Sequence, residues 1–114
     1  MTTGKGKKEL SREDLVLLAL SPAGSVPHTP VQVQKLLFLI DRNLAPRIGG
    51  PAFDFQPYHY GPFDSRVYAV LEDLAGRGWV EITKGQGNWR DYRLTPAGLS
   101  QADAASAALD ERSR

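Results

Sequence analysis

The sequence predicts an α+β domain in which three helices lead into a β-hairpin and a fourth helix. Three observations carry this expectation. Apolar residues recur behind capping residues in "SREDLVLLAL", "TPVQVQKLLFLIDRNL" and "DSRVYAVLEDLA". Two short runs alternate apolar and polar residues on either side of the turn-forming stretch "KGQGN". The chain has 114 residues, of which 41% are hydrophobic, which suits one compact domain with a real core.

Residues 1–10 form a flexible basic arm carrying Lys5, Lys7 and Lys8. Helix 1 begins behind Ser11, whose hydroxyl can accept a free backbone N–H, and Asp14 completes a capping-box pattern. Its body, "LVLLAL", is too uniformly apolar for a surface helix. "SPAGSVPH" (21–28) is a loop punctuated by two prolines and a glycine.

Helix 2 has the plainest start. Thr29 caps it, Pro30 takes the first helical position, and Gln32 stands where a capping box needs it. Val33, Leu36, Leu37, Ile40 and Leu44 share one face, and "APRIGGP" ends the helix. In "AFDFQPYHY", Phe53 and Phe55 alternate with Asp54 and Gln56, a short strand that Pro57 interrupts.

Helix 3 runs from Asp64, its cap, to about Ala75. Phe63 and Tyr68 sit at hydrophobic-staple positions, and Val67, Val70, Leu71 and Leu74 repeat at helical spacing. Gly76 or Gly78 closes it in the left-handed conformation. In the hairpin, Val80 and Ile82 face inward with Tyr92 and Leu94. Thr95 and Pro96 then cap and open helix 4, whose apolar stripe of Leu99, Ala102, Ser106 and Leu109 is thin.

Three helices sharing one core, with a twisted hairpin over the open end, make the winged-helix arrangement; the hairpin is the wing. It spans 11–100, and 101–114 form a C-terminal helix and tail. "LEDLAGRGWVEIT…WRDYRLTPAGLS" resembles the third helix, wing and following helix of bacterial winged-helix transcription regulators, through Tyr92, Leu94, Thr95 and Gly98. That resemblance covers roughly residues 64–100 and implies binding to double-stranded DNA. A second, local resemblance is to the Panacea-type phage-associated antitoxins. It is carried by Lys35 to Phe38, Tyr60 to Pro62, and Val67 with Tyr68. It implies a protein partner such as a toxin, or an adaptor role.

In a winged helix the third helix enters the major groove and its first exposed residues meet base edges. Ser65, Arg66 and Tyr68 are the candidates. Arg66 either forks onto a guanine or joins Glu72 and Asp73 in a solvated, ion-paired face. At the wing, Lys84, Gln86, Asn88 and Arg90 offer donors to phosphate or a minor groove. Trp89 either packs in the core or stacks at a contact with another molecule. If the partner is a protein, Tyr58, Tyr60 and Phe63 form an aromatic contact patch. The helix 4 stripe suits either a homodimer, matching a palindromic site, or a solvated tail.

Net charge is only +1, from 14 basic and 13 acidic residues, so charge alone does not announce nucleic acid. Nothing reads as an enzyme: there is no Gly-rich phosphate loop, no nucleophile elbow and no paired carboxylates. His28 and His59 lack ligand spacing, so neither a metal nor a cofactor is expected. The absence of cysteine removes disulfides and thiolate zinc sites. No apolar run approaches the ~20 residues of a membrane span, and the N-terminus lacks a signal core. The expectation is a cytoplasmic protein.

Overall fold

The computed structural model describes residues 10–48, 51–59, 61–85 and 90–112. The helices are α1 (Arg12–Leu20), α2 (Pro30–Ile48), α3 (Arg66–Gly76) and α4 (Pro96–Arg112). The strands are β1 (Gln56–Tyr58), β2 (Gly61–Phe63), β3 (Val80–Lys84) and β4 (Arg90–Leu94).

Helix α1 threads the middle of the molecule, packing on α2, α3 and α4. Its Leu15, Val16, Leu17 and Leu20 are almost wholly buried, as the uniform apolarity of "LVLLAL" requires. Each such side chain stabilises the fold by roughly 1.5–3 kcal/mol through removal from water. Both expected capping boxes form. Asp14 N–H donates to Ser11 Oγ at 3.1 Å while Ser11 N–H donates to the Asp14 carboxylate at 3.0 Å. Thr29 and Gln32 make the same reciprocal pair at the start of α2.

Helix α2 runs on through Pro46 to Ile48, beyond the expected stop at "APRIGGP". The bond that a proline cannot donate is lost only in the final turn, so the helix survives it. The chain after it is fastened back: the buried Asp41 carboxylate accepts the N–H groups of Ala52 (2.8 Å) and Phe53 (3.0 Å). Arg12 adds a bond from Nε to Ala52 O at 2.7 Å.

The short strand expected before Pro57 lies elsewhere and is paired. β1 contains Pro57 and forms an antiparallel ladder with β2, with Pro57 opposite Pro62 between the pairs Gln56–Phe63 and Tyr58–Gly61. Opposed residues alternate between hydrogen-bonded and non-bonded pairs, so both prolines fall in the non-bonded pair and cost the ladder nothing. The stretch 21–28 also holds more than a loop. Ser21–Ala23 is a 3₁₀ turn, and His28 exchanges backbone bonds with Tyr92 at 2.8 and 2.9 Å. His28 thereby adds a one-residue third strand to the β3–β4 hairpin.

Helix α3 begins at Arg66, two residues after the expected start, with Ser65 at the cap position making no side-chain cap bond. Asp64 does the capping from one residue farther out, accepting Arg66 N–H at 2.9 Å. The far end closes by Gly78, whose φ of 80° is left-handed, with bonds from Gly78 N to Ala75 O and from Trp79 N to Leu74 O. Val67, Val70, Leu71 and Leu74 are buried as expected.

In the hairpin, Val80, Tyr92 and Leu94 are buried and Ile82 is half-buried. Thr95 caps α4, accepting Gly98 N–H at 3.0 Å while its own hydroxyl donates to Gly78 O at 2.7 Å. Gly98 explains the last position of the "YRLTPAG" pattern. A Cβ there would lie inside the van der Waals shell of the Trp79 carbonyl, so only glycine lets the chains approach this closely. On α4 the buried face is Ala102 and Ala105, and Ser106 points to solvent. The expected stripe is therefore corrected by one residue, and that face packs on α1 of the same chain.

Candidate nucleic-acid interface

The start of α3 is built from α2 upward. Gln34, only 3% exposed, donates from Nε2 to Asp64 O and accepts Asp64 N–H at Oε1, both at 3.0 Å. One side-chain amide thus reads both backbone groups of Asp64 and fixes where the helix starts. Asp64 is itself buried, and its carboxylate accepts Asp54 N–H at 2.8 Å besides Arg66 N–H. Arg66 closes the cluster: Nη2 lies 2.8 Å from Oδ2, and Nε 3.1 Å from Oδ1. Burial alone would raise the Asp64 carboxyl. The Arg66 guanidinium and the two backbone N–H groups outweigh burial and hold it at about 2.

Ser65 and Arg66 are exposed at this end of α3, while Tyr68 is half-buried. The Tyr68 ring lies between Phe63 (centroids 5.9 Å apart) and Tyr92 (6.3 Å), so the staple forms and Tyr68 anchors the helix. Farther along, Asp73 pairs with Arg77 at 3.1 Å, an ordinary i,i+4 surface pair.

The hairpin lies beside this helix. Arg90 Nη1 donates to Glu72 Oε2 at 3.0 Å, tying β4 to the exposed side of α3. Lys84 and Arg90 stand directly opposite each other on the last described rung of the ladder. Like charges so placed repel, and an anion between them relieves this. Arg93 instead pairs across the strands with Glu81, a structural contact. Gln86, Asn88 and Trp89 at the turn, and Lys5, Lys7 and Lys8 of the arm, lie outside the described residues.

A second surface sits on the β1–β2 hairpin. Tyr58 is 62% exposed and stacks on Phe63 at 5.2 Å, with His59 against its edge. Tyr58 and Phe63, with Pro30, Val31, Pro62 and Tyr68, line an apolar groove of about 220 Å³. Tyr60 is outside the described residues. Among those described, no three His, Cys, Asp or Glu side chains gather as a metal site, and no helix is long and apolar enough to cross a membrane. Burial pushes the His28 imidazole below its usual range, partly offset by its bonding to the Tyr92 backbone.

A solved structure has the same architecture: the X-ray crystal structure of a transcriptional regulator (MarR family) from Rhodococcus sp. RHA1. It aligns over 89% of this chain with a TM-score of 0.51 at 17% sequence identity. The fold is a winged helix. This chain spans 56% of the length of that regulator. No protein-family model and no curated protein matches the sequence, so the antitoxin-type resemblance gains no support there.

The sequence did not single out Gln34 or Asp41 as organisers of the site. A signal exists. They lie seven residues apart on α2, on the side carrying Val33 and Leu37, so two polar residues occupy an otherwise apolar helix face. Polar side chains placed there must find buried partners.

Proposed function

We propose that the chain is a winged-helix DNA-binding protein, a transcriptional regulator that holds duplex DNA with the start of α3 and the β3–β4 wing. The observation that carries this is the Arg90–Glu72 tie, which sets the wing alongside the exposed face of α3. In this reading Ser65 and Arg66 face base edges, with Tyr68 anchoring the helix behind them. Lys84 and Arg90, with Gln86 and Asn88, hold phosphates. The Arg90–Glu72 pair is exposed, so exchanging Glu72 for phosphate costs little. The protein works in the cytoplasm as a homodimer on a palindromic site, and the dimer contact lies away from the Ala102–Ala105 face that α1 already covers.

The test is titration of labelled duplexes, including the DNA upstream of the gene, at several salt concentrations. The expected result is affinity that falls steeply with salt through counterion release. Salt-insensitive or undetectable binding overturns the reading.

A second reading is a protein-binding module of antitoxin or adaptor type. The exposure of Tyr58 beside Phe63 favours it. There, replacing the exposed Tyr58 by serine weakens capture of the partner and leaves DNA affinity unchanged.

A further inference from the structure

A guanidinium has two donor edges, one formed by Nε and an Nη and one by the two outer Nη groups. Asp64 occupies the first edge of Arg66 through Nε and Nη2. Nη1 has no hydrogen bond among the described residues, and the side chain is 47% exposed. The outer edge therefore faces solvent at the first residue of α3. Its mount is rigid throughout: Gln34 fixes the Asp64 backbone from both sides, and the Asp54 and Arg66 N–H groups fix the carboxylate.

We propose that Asp64 is a positioning residue that presents the outer edge of the Arg66 guanidinium to the paired O6 and N7 acceptors of a guanine. This rests on the DNA-binding reading and adds its base preference. A phosphate also accepts a bidentate fork, and the methylphosphonate arm of the experiment separates it from a guanine. A planar edge clamped from behind suits a planar pair of acceptors in fixed register. Asp64 acts through Arg66 and touches no base.

The experiment selects the preferred duplex from a randomised library with the full chain, then replaces each guanine in turn by 7-deazaguanine, which lacks N7. In the wild type one replacement should weaken binding roughly ten- to hundredfold. Asp64→Asn keeps an oxygen to cap α3 but loses the charged clamp, and Arg66→Lys loses the two-edged fork. In both, the penalty at that guanine should collapse to less than about threefold, whatever happens to overall affinity. A purely structural role for Asp64 would weaken binding to both duplexes equally and leave their ratio intact, which overturns the proposal. Should Asp64→Asn fail to fold in a thermal melt, Asp64→Glu, which keeps the charge but displaces it by one methylene, takes its place with the same expected collapse of the ratio. Loss of affinity on methylphosphonate substitution but not on 7-deazaguanine assigns Arg66 to phosphate and also overturns it. No binding of any duplex by the wild type rejects the DNA reading itself, and the proposal with it.

Discussion

Replacing Gln34 by leucine tests whether the start of α3 is held as described. The two side chains are similar in size, so the change is chiefly the loss of two hydrogen bonds. Asp64 O keeps a partner in Val67 N–H at 3.1 Å, but Asp64 N–H loses the one acceptor it has among the described residues, in a buried position. An orphaned buried N–H costs about 1–3 kcal/mol. The added apolar surface of leucine returns part of that, about 1 kcal/mol. From the middle of that range the net loss is about 1 kcal/mol, a noticeable share of the ~5–15 kcal/mol that holds a typical domain together. Circular dichroism melts should show Tm lowered by roughly 4–8 °C. Urea titration should show a lower midpoint with unchanged slope. A variant as stable as the wild type would mean that Gln34 does not fasten α3.

Acid should act through Asp64. Its carboxyl sits at about 2 in the folded chain against an ordinary 3.8. A depressed carboxylate stabilises the fold above its unfolded value, and that contribution, about 2 kcal/mol, is lost as pH falls from about 4 towards 2. The stability gap between wild type and Asp64→Asn should therefore narrow over that window; a constant gap contradicts the assignment. Gly98→Ala should cost upwards of about 3 kcal/mol, because backbone would have to move away from the Trp79 carbonyl. A melt within a degree of wild type would show that the close approach is wrong. On α4, Ala105→Glu should destabilise by more than about 2 kcal/mol, since it buries a charge, whereas Ser106→Glu should stay within about 0.5 kcal/mol. Equal melts for the two would restore the stripe through Ser106.

Most of the fold was legible because local signals agreed with one another. Capping pairs at Ser11–Asp14 and Thr29–Gln32 marked two helix starts, and the Val80/Ile82 and Tyr92/Leu94 alternation marked the hairpin. The misplacements have local causes too. Pro57 reads as a strand breaker unless its partner across the ladder is known, and Pro62 supplies the matching silent position only through tertiary pairing. Ala105 and Ser106 are both small, so sequence pattern gave no contrast to set the face of α4. His28 bridges Tyr92 through backbone alone, which no side-chain pattern reports.

The candidate site was legible in its exposed residues and hidden in its supports. Arg66 stood out as a charged residue at a helix start. Its clamp by Asp64 joins residues two apart, but the hold of Gln34 on Asp64 joins residues 30 apart in the chain and forms only once α2 and α3 are packed. Tyr68 was expected both to staple α3 and to meet base edges; its ring is half-buried between Phe63 and Tyr92, as the staple requires.

The most direct test of the DNA-binding account is the slope of log affinity against log salt for one duplex, measured for wild type, Lys84→Ala and Arg90→Ala. Each phosphate contact contributes about 0.9 to that slope on duplex DNA. The account predicts a steep negative slope for the wild type, made shallower by about one in each variant. A slope identical in all three proteins would remove the wing from the interface, and no salt-dependent binding at all would contradict the account outright.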